Sequence, residues 1–501
     1  MIRFCRYFLQ ILLLFIAYAS FAQSVLLPQE IERNISVNRI MRNVKVLSSD
    51  SLMGRSLENA GHAKSASYIA QELKQSGISP VSTSYLLPVP LARCYWNEVY
   101  VKRDNYVLSN FNGIIYNGNP IDEPISKQLV FRGYVSADSL ELTGMSGCIV
   151  VLFIDNLWKD INLLKRIKRS DAYGYIFVNP SNQKQYYSLE RQLKEHYTRK
   201  RVLPRFKVDD DAFSMVAQLV GTADIYLDAP RFMMPLDKLA TLLDVSERKL
   251  LRASESGDFA DIPMPTVTLR SQRVVEPLET SNVVGVIPGA VRGQRAIVVS
   301  AHYDHLGNDG ALYAGADDNA SGVAVVLELA RLFRVMGYKP QNDIVFAFFG
   351  AEELGMLGSM AFVATRKQLA DSIVANINID MIGRVDSLHS KRNGYMYLLG
   401  AGKFAALGKA FAAADSLTPE ISIDYSLDNA NDIFGMYNLS DQRSFVAKQI
   451  PAVLVTSGLH GDYHTPRDVY NKLDYNQLKL RTSLLLHAIV NIDKQLIIGS
   501  N

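Results

Sequence analysis

Apolar residues in the C-terminal half of the chain fall into short runs that alternate with helical patterns. Runs such as Ala296–Ala301 and Ile344–Gly350 are almost continuously apolar, which is typical of central strands covered on both faces. Residues between such runs carry apolar side chains at helical spacing. This alternation predicts an α/β/α sandwich built on a mostly parallel, doubly wound sheet. The predicted strands are Asn282–Ile287, Ala296–Ala301, Ile344–Gly350, Ile373–Asp380, Tyr395–Leu399 and Ala452–Thr456, and the predicted helices are Gly322–Val335, Met356–Arg366, Lys403–Ala414 and Asn476–Gln495.

The pattern differs in the first half of the chain. Helical spacing relates Val37, Ile40, Val44 and Leu47, and a second helical pattern runs over residues 63–73. From about residue 91 to residue 272, short β-like runs dominate instead. Helices are predicted there only at Asp211–Val220 and Leu236–Ala253, and the β-like runs are Gln128–Tyr134, Cys148–Ile154, Tyr173–Val178 and Ile225–Leu227. We therefore divide the chain into residues 23–90 and 273–501 of one domain, interrupted by an insert at 91–272.

The first residues have the layout of an export signal. Arg3 and Arg6 precede an apolar run that ends with the small residues Ser20 and Ala22. The run is shorter than the ~20 residues that span a bilayer. We expect cleavage after Ala22, a secreted or periplasmic protein, and no stable membrane anchor afterwards; an uncleaved anchor is the alternative.

The amino-acid composition is that of an ordinary globular protein and indicates no special class. Charged residues make up 21% of the 501 residues and the formal net charge is +3, so nothing indicates a nucleic-acid partner. Cys94 and Cys148 remain after signal cleavage and could pair in an oxidising compartment, but neither belongs to a CxxC metal motif. The sequence does not indicate an oligomeric state.

Metal-competent side chains follow the ends of the predicted strands. In an open α/β sheet, ligands gather at the carboxyl ends of the strands, so five separate segments place His, Asp and Glu on one edge. Each residue alone has a structural explanation, such as a helix cap for an aspartate, but their convergence favours a site. These residues are His302, Asp304, His305, Asp317, Asp318, Glu352, Glu353, Asp380, His460, Asp462 and His464.

This mixture of imidazoles and carboxylates suits a pair of zinc ions, with cobalt or manganese as substitutes. Two neighbouring ions need a shared carboxylate and separate terminal ligands. A further carboxylate must stay free of metal to accept the proton of an attacking water. The adjacent residues Glu352 and Glu353 can supply one ligand and one base.

The motifs around these residues resemble the secreted zinc aminopeptidases of clan MH, relatives of glutamate carboxypeptidase. The motifs are Ser-Ala-His302-Tyr-Asp304-His-Leu-Gly, Gly-Ala-Asp317-Asp318-Asn-Ala-Ser-Gly, Phe-Gly-Ala-Glu352-Glu353-Leu-Gly, Asn-Ile-Asp380-Met-Ile-Gly and Asp-Tyr463-His464-Thr-Pro. They follow the family's order between about Ser281 and Asp474, and residues 49–80 resemble its helical lead-in.

The resemblance implies a role for each residue. Asp317 would bridge two Zn²⁺ ions, with His302 and Asp380 completing one site and Glu353 and His464 the other. The remaining roles are assigned as follows: Glu352 would be the general base, Asp304 would orient His302, Asp318 would support the ligands without binding metal, and Tyr463 would help to polarise the scissile carbonyl. The Asp317–Asp318 peptide bond is expected to be cis.

The implied activity is removal of N-terminal residues from peptide substrates. The insert resembles a protease-associated domain, although it is long, and it could instead dock carbohydrate or protein. Gln442 replaces a histidine that many relatives carry, which weakens any transfer of specificity. Alternatives on the same fold are a carboxypeptidase or dipeptidase, a one-zinc glutaminyl cyclase, and a receptor-like protein without catalysis; the complete ligand set favours hydrolysis with two metals.

Overall fold

The structure is a computed structural model of the chain, and only part of the chain is described. The signal sequence and the elements predicted at Asp211–Val220 and Ile225–Leu227 lie outside the described residues. The described residues are 28–135, 144–155, 167, 170–197, 201–205, 229–290, 295–365, 370–390, 394–428 and 435–498.

The chain divides into two compact units. The first comprises the described residues 28–90 and 279–498, and the second comprises those of 91–205 and 229–278. The predicted identity of the insert as a protease-associated domain stays a prediction.

The strands of both units are numbered in chain order. They are β1 Ser79–Pro80, β2 Leu86–Arg103, β3 Tyr106–Asn110, β4 Gly113–Asn117, β5 Ile121–Tyr134, β6 Ile149–Phe153, β7 Gly174–Val178, β8 Arg201–Pro204, β9 Arg231–Met233, β10 Thr266–Ile287, β11 Ala296–His302, β12 Gly307–Asn308, β13 Leu312–Tyr313, β14 Asp343–Phe349, β15 Ile373–Ile379, β16 Tyr395–Leu399, β17 Ser422–Asp424 and β18 Ala452–Thr456.

The helices are numbered in the same way. They are α1 Pro28–Asn34, α2 Val37–Leu47, α3 Ala60–Gln75, α4 Gln183–Tyr197, α5 Leu236–Leu243, α6 Glu247–Ser256, α7 Gly322–Val335, α8 Leu357–Thr365, α9 Ala405–Asp415, α10 Gln442–Val446 and α11 Tyr475–Ile498. Short irregular helical turns lie at Asp50–Arg55, Ala316–Ser321, Met436–Asn438 and Tyr470–Lys472.

A mostly parallel sheet forms the centre of the first unit. Its strand order is β17-β16-β18-β15-β11-β14-β10. The four central strands β18, β15, β11 and β14 run parallel to one another, and β10 and β16 flank them antiparallel. The predicted α/β fold with a mostly parallel sheet is therefore confirmed.

Strand β14 shows why these strands read as continuous apolar runs. Ile344, Phe346 and Phe348 belong to a core cluster that includes side chains of α2, α3, α7 and α11. Val345, Ala347 and Phe349 belong to a second cluster, with side chains of α8 and α10. Each face of the sheet is thus buried under helices. A fully buried Phe side chain stabilises the folded state by about 1.5–3 kcal/mol relative to an exposed one. This packing makes the central sheet a rigid support for the loops at its edge.

The second unit carries its own sheet. From β5 the strand order runs β5-β6-β7-β9-β4-β3-β2-β8, and the four strands β5, β6, β7 and β9 are parallel to one another. The single helix predicted at Leu236–Ala253 is wrong. Helix α5 ends at Leu243, the C-cap residue Asp244 adopts a left-handed conformation (φ 57°), and Ser246 caps a separate α6. The break was not predicted because the apolar residues on both sides of it have helical spacing.

Two further expectations concern membranes and cysteines. None of the helices in the described part of the chain is long and apolar enough to cross a membrane. Cys94 and Cys148 are free thiols, so the disulfide that the sequence allowed is not formed in this structure.

Candidate metal centre

The register of the parallel strands brings the predicted site residues to one edge. His302, the last residue of β11, is paired with Phe349, the last residue of β14, and Ser300 is paired with Asn378 near the end of β15. Asp380, two residues after Asn378, is therefore level with His302, and Glu352 follows Phe349 by three residues at the same edge of the sheet. The loop after β18 adds His464 to this edge.

One group of three side chains could hold a metal ion. It consists of His302, Asp318 and Asp380. The Nε2 atom of His302 lies 3.2 Å from Asp318 Oδ1 and 3.3 Å from Asp380 Oδ1. His302 is buried to 1% exposure, so its imidazole has no access to bulk water and needs these partners.

A second group consists of His305, Asp318, Glu353 and His464. His464 Nε2 lies 3.0 Å from Asp318 Oδ2 and 3.4 Å from Glu353 Oε2. His305 Nδ1 lies 2.8 Å from Glu353 Oε1. Asp318 belongs to both groups and presents a different oxygen to each, which is the arrangement that a bridging carboxylate requires.

Asp318 is therefore the carboxylate that the two groups share. The sequence assignment, which gave this position to Asp317, needs correction. The Asp317 carboxylate accepts a hydrogen bond from the amide of Gly383 (2.6 Å) and faces His460 Nε2 at 3.2 Å. Asp318 has an extended backbone (φ −103°, ψ 95°), and successive side chains of an extended segment point in opposite directions. Asp318 is also a member of both metal-competent groups, so it does not merely support them. The cis peptide bond likewise lies between Asp318 and Asn319, one position after the predicted bond.

Asp304 is held differently from the prediction. Its carboxylate oxygens accept hydrogen bonds from the amides of Glu352 (3.0 Å) and Glu353 (3.2 Å). The carboxylate lies 3.9 Å from His302 Nδ1, and the Asp304 backbone carbonyl is nearer to that nitrogen, at 3.3 Å. Burial raises the pKa of Asp304 to about 6. Its carboxylate thus orients the two glutamates, while its backbone contacts the imidazole.

Glu352 lies beside the first group without belonging to either one. Its Oε2 atom is 3.9 Å from His302 Nε2. Burial raises the pKa of Glu352 well above its ordinary value, and Glu353 and Asp380 raise it further. A carboxylate with a raised pKa, close to the ligands but outside their groups, has the properties of a general base.

Opposite charges balance within the buried groups. Burial alone would raise the pKa of Asp318, but His305, His302 and His464 hold it well below its ordinary value. Burial alone would lower the pKa of His464, yet the carboxylates of Asp318 and Glu353 raise it to about 10. The carboxylates of the two groups are therefore close enough together to require positive charge between them, either from protonated histidines or from metal.

Tyr463 lies on the exposed side of this arrangement. Its ring stacks on His464, with 3.9 Å between ring centroids and an interplanar angle of 24°. The residue is 37% exposed, so part of its surface faces solvent. Burial raises the pKa of its phenol, which keeps the hydroxyl protonated and able to donate.

Three cations near the site are paired with Asp462. Asp462 Oδ2 accepts from Arg384 (3.2 Å) and Lys472 (3.0 Å), and Asp462 Oδ1 accepts from Arg467 (2.8 Å). The predicted metal-competent residue Asp462 therefore serves as an anion for these three side chains. Arg384 and Arg467, which lie beside the sequence motifs and could otherwise bind a substrate carboxylate, are occupied by it. Arg443, a third arginine beside the motifs, has an Nη2 atom with no hydrogen-bond partner among the described residues.

His305 is the residue whose role the sequence did not assign. It was recognised as metal-competent, but no contact was predicted for it. The structure places it against Glu353 and, at 3.6 Å, near Asp318 Oδ2. The spacing His302-x-x-His305 after a strand was the available signal.

Comparison with known proteins gives a family for the part of the chain that carries these residues. Residues 282–489 match the model of peptidase family M28. This region belongs to peptidase family M28. The chain therefore carries a metallopeptidase domain, and the M28 region includes every residue of the two groups described above.

Relatives of known description match parts of the chain. A probable zinc metalloprotease of Pyrenophora tritici-repentis is 38% identical over 117 residues, which are 23% of this chain and 26% of the relative. Aminopeptidase YwaD of Bacillus subtilis is 29% identical over 234 residues, 43% of this chain and 45% of that protein. The chain thus spans less than half the length of these relatives. Among solved structures, an aminopeptidase from Aneurinibacillus sp. strain AM-1 has a TM-score of 0.47 and 19% identity, covering 92% of this chain and 95% of its own.

Proposed function

We propose that this chain is an exported aminopeptidase that uses two zinc ions to remove N-terminal residues from peptides. The observation that carries the proposal is the position of Asp318, whose two carboxylate oxygens face two separate groups of metal-competent side chains. Its M28 relatives include a probable zinc metalloprotease and an aminopeptidase.

The donor atoms fit zinc. His302 and Asp380 would hold one ion, Glu353 and His464 the other, and Asp318 both. Imidazole nitrogen and carboxylate oxygen are ordinary zinc ligands, and cobalt or manganese could replace zinc on the same atoms. Buried carboxylates are costly unless they are paired with cations or coordinate metal, and this part of the site holds several. The number of ions is part of the proposal.

When bound, the zinc ions would polarise the scissile carbonyl and lower the pKa of an attacking water. Glu352 would accept the proton of that water and pass it to the leaving amine. The hydrogen bonds from the Glu352 and Glu353 amides to Asp304 fix the start of this segment, so that the two neighbouring carboxylates keep separate tasks. The hydroxyl of Tyr463 would donate a hydrogen bond to the carbonyl oxygen of the substrate.

The charge of the site favours a substrate with a free α-amine. Glu352 and Asp380 are partly accessible carboxylates at the edge of the first group, with side-chain exposures of 11% and 16%. Two of the three arginines beside the motifs, Arg384 and Arg467, are engaged by Asp462, whereas the Nη2 atom of Arg443 has no hydrogen-bond partner among the described residues. An ammonium group therefore finds partners here, and a terminal carboxylate would have to bind Arg443 or compete with Asp462.

Two features complete the proposal. Export rests on the basic and apolar signal pattern before Ala22. The second unit would be a protease-associated domain, and its β-rich composition supports this assignment. Neither feature contributes a residue to the two groups of metal-competent side chains.

The test is hydrolysis of leucine p-nitroanilide by the mature chain, before and after removal of metal by a chelator. N-acetyl-leucine p-nitroanilide, which lacks the free amine, is the matched control substrate. We expect cleavage of the free-amine substrate only, loss of activity with chelator, and recovery with zinc. Cleavage of an N-blocked peptide from its C-terminal end would show a carboxypeptidase, and cyclisation of an N-terminal glutamine would show a cyclase.

A further inference from the structure

Arg55, on the helical turn that follows α2, is a fully buried cation. It is 0% exposed, and its guanidinium donates five hydrogen bonds to backbone carbonyls. A guanidinium has five N–H donors, so its hydrogen-bonding capacity is fully used. The acceptors are the carbonyls of Leu47 (2.7 Å), Tyr303 (2.7 Å), Ala314 (2.7 Å), Gly315 (2.9 Å) and Asp318 (3.2 Å).

Four of these five acceptors belong to the two segments that carry the metal-competent residues His302 and Asp318. Tyr303 directly follows the metal-competent His302, and residues 314–318 form the turn that ends in Asp318. Among the described residues, no carboxylate lies within ion-pair distance of Arg55, so its charge is directed at this backbone.

Asp468 binds the same turn through its backbone amides, whereas Arg55 binds it through its carbonyls. Both of its carboxylate oxygens lie 3.0 Å from the amide of Asp317, and Oδ2 also accepts from the amide of Asp318 at 3.1 Å. The Asp468 side chain is 0% exposed. The carbonyls of the turn thus point to a buried cation and its amides to a buried anion.

This pairing would be superfluous for an ordinary surface turn, where water satisfies the backbone. Here residues 316–318 are buried, and the side chain at their end must offer one oxygen to each group of ligands. A displacement of the turn would move Asp318 toward one group and away from the other.

We propose that Arg55 and Asp468 are positioning residues that hold the Asp318 carboxylate midway between two metal sites. The inference rests on the proposed function, because it concerns how the chain prepares the binding of two ions. Neither residue touches the reacting atoms; each acts on metal binding through the backbone of Asp318.

Two conservative variants separate this role from general stability. Arg55→Lys keeps the charge but has three donors that do not form a planar fork, so it cannot bind all five carbonyls. Asp468→Asn keeps one acceptor oxygen and loses the charge. The matched control is Asp493→Asn, because Asp493 is also fully buried and accepts from two backbone amides, those of Gln341 and Asn342, at the start of β14 and away from the ligands.

The experiment measures the affinity of the metal-free full-length proteins for Co²⁺ and Zn²⁺ by titration, together with the visible absorption of bound Co²⁺ and the melting temperature of the apoprotein. We expect all three variants to melt at lower temperature. Only Arg55→Lys and Asp468→Asn should lose affinity by at least about tenfold and change the Co²⁺ spectrum.

Equal affinities and spectra in wild type, Arg55→Lys and Asp468→Asn would overturn the inference, as would an equal loss in Asp493→Asn. Should one of the two test variants fail to fold, the other decides the question. A wild-type chain that binds no Co²⁺ or Zn²⁺ would overturn the proposed function as well, and that outcome is recognised before any variant is made.

Discussion

His62 on α3 predicts a specific sensitivity to acid. Its side chain is only 5% exposed and its ring stacks on Tyr303, with 4.7 Å between the centroids. Nε2 lies 2.6 Å from Thr280 Oγ1, and Nδ1 lies 3.2 Å from the carbonyl of Arg55. Burial lowers the pKa of His62 to about 4 from an ordinary value of 6.5.

The sign follows from proton linkage. Because the folded pKa is lowered, the unfolded chain binds a proton more readily between pH 6.5 and pH 4, and stability falls as the pH drops through that range. For these two pKa values the loss of stability between pH 7 and pH 5 is about 2 kcal/mol. In the limit of low pH the loss approaches about 3 kcal/mol, since one pKa unit corresponds to about 1.4 kcal/mol.

The assay compares wild type with His62→Gln in the presence of chelator, since metal binding would add its own pH dependence. The opening free energy of β11 amides is measured by hydrogen exchange, which suits a chain of two units better than a single global transition. His487, whose pKa burial also lowers to about 4, is present in both proteins and cancels. The stability advantage of wild type should shrink by about 2 kcal/mol from pH 7 to pH 5; a difference that stays constant with pH would refute the reasoning.

Three substitutions test the residues of the site. Glu352→Gln should keep its metal and lower kcat by roughly 10²–10⁴-fold, because the proton acceptor is lost; near wild-type turnover would contradict its role. His464→Ala should lower metal content measured by mass spectrometry, and an unchanged metal-to-protein ratio would exclude it as a ligand. His305→Gln should weaken zinc affinity by about 10–100-fold through its contact with Glu353, whereas an unaltered titration curve would mean that this contact is dispensable.

The central strands and helices could be predicted because strands that are buried on both faces consist almost entirely of apolar residues. Tyr395–Leu399, Ala452–Thr456 and the helix Gly322–Val335 have the predicted bounds. Strand β10 shows the limit of this reasoning. It begins at Thr266, although only Asn282–Ile287 was predicted, because its first part alternates buried and exposed positions and contains polar residues.

The site shows a similar limit at the level of single residues. Strand ends indicated which loops meet, but not which way each side chain points. Asp317 and Asp318 are adjacent and chemically identical, and only the backbone conformation between Gly315 and Asn319 decides that Asp318 faces both groups. Arg55 lies about 260 residues before that turn, and no local pattern relates the two.

The most direct test of the account is the number of metal ions bound by wild type, Asp318→Asn and Asp317→Asn, measured by mass spectrometry after dialysis against zinc. If Asp318 bridges two ions, wild type and Asp317→Asn should each hold two ions per chain and Asp318→Asn fewer. Two ions in Asp318→Asn, with a loss in Asp317→Asn, would contradict the account, and wild type with no bound metal would contradict the proposed chemistry altogether.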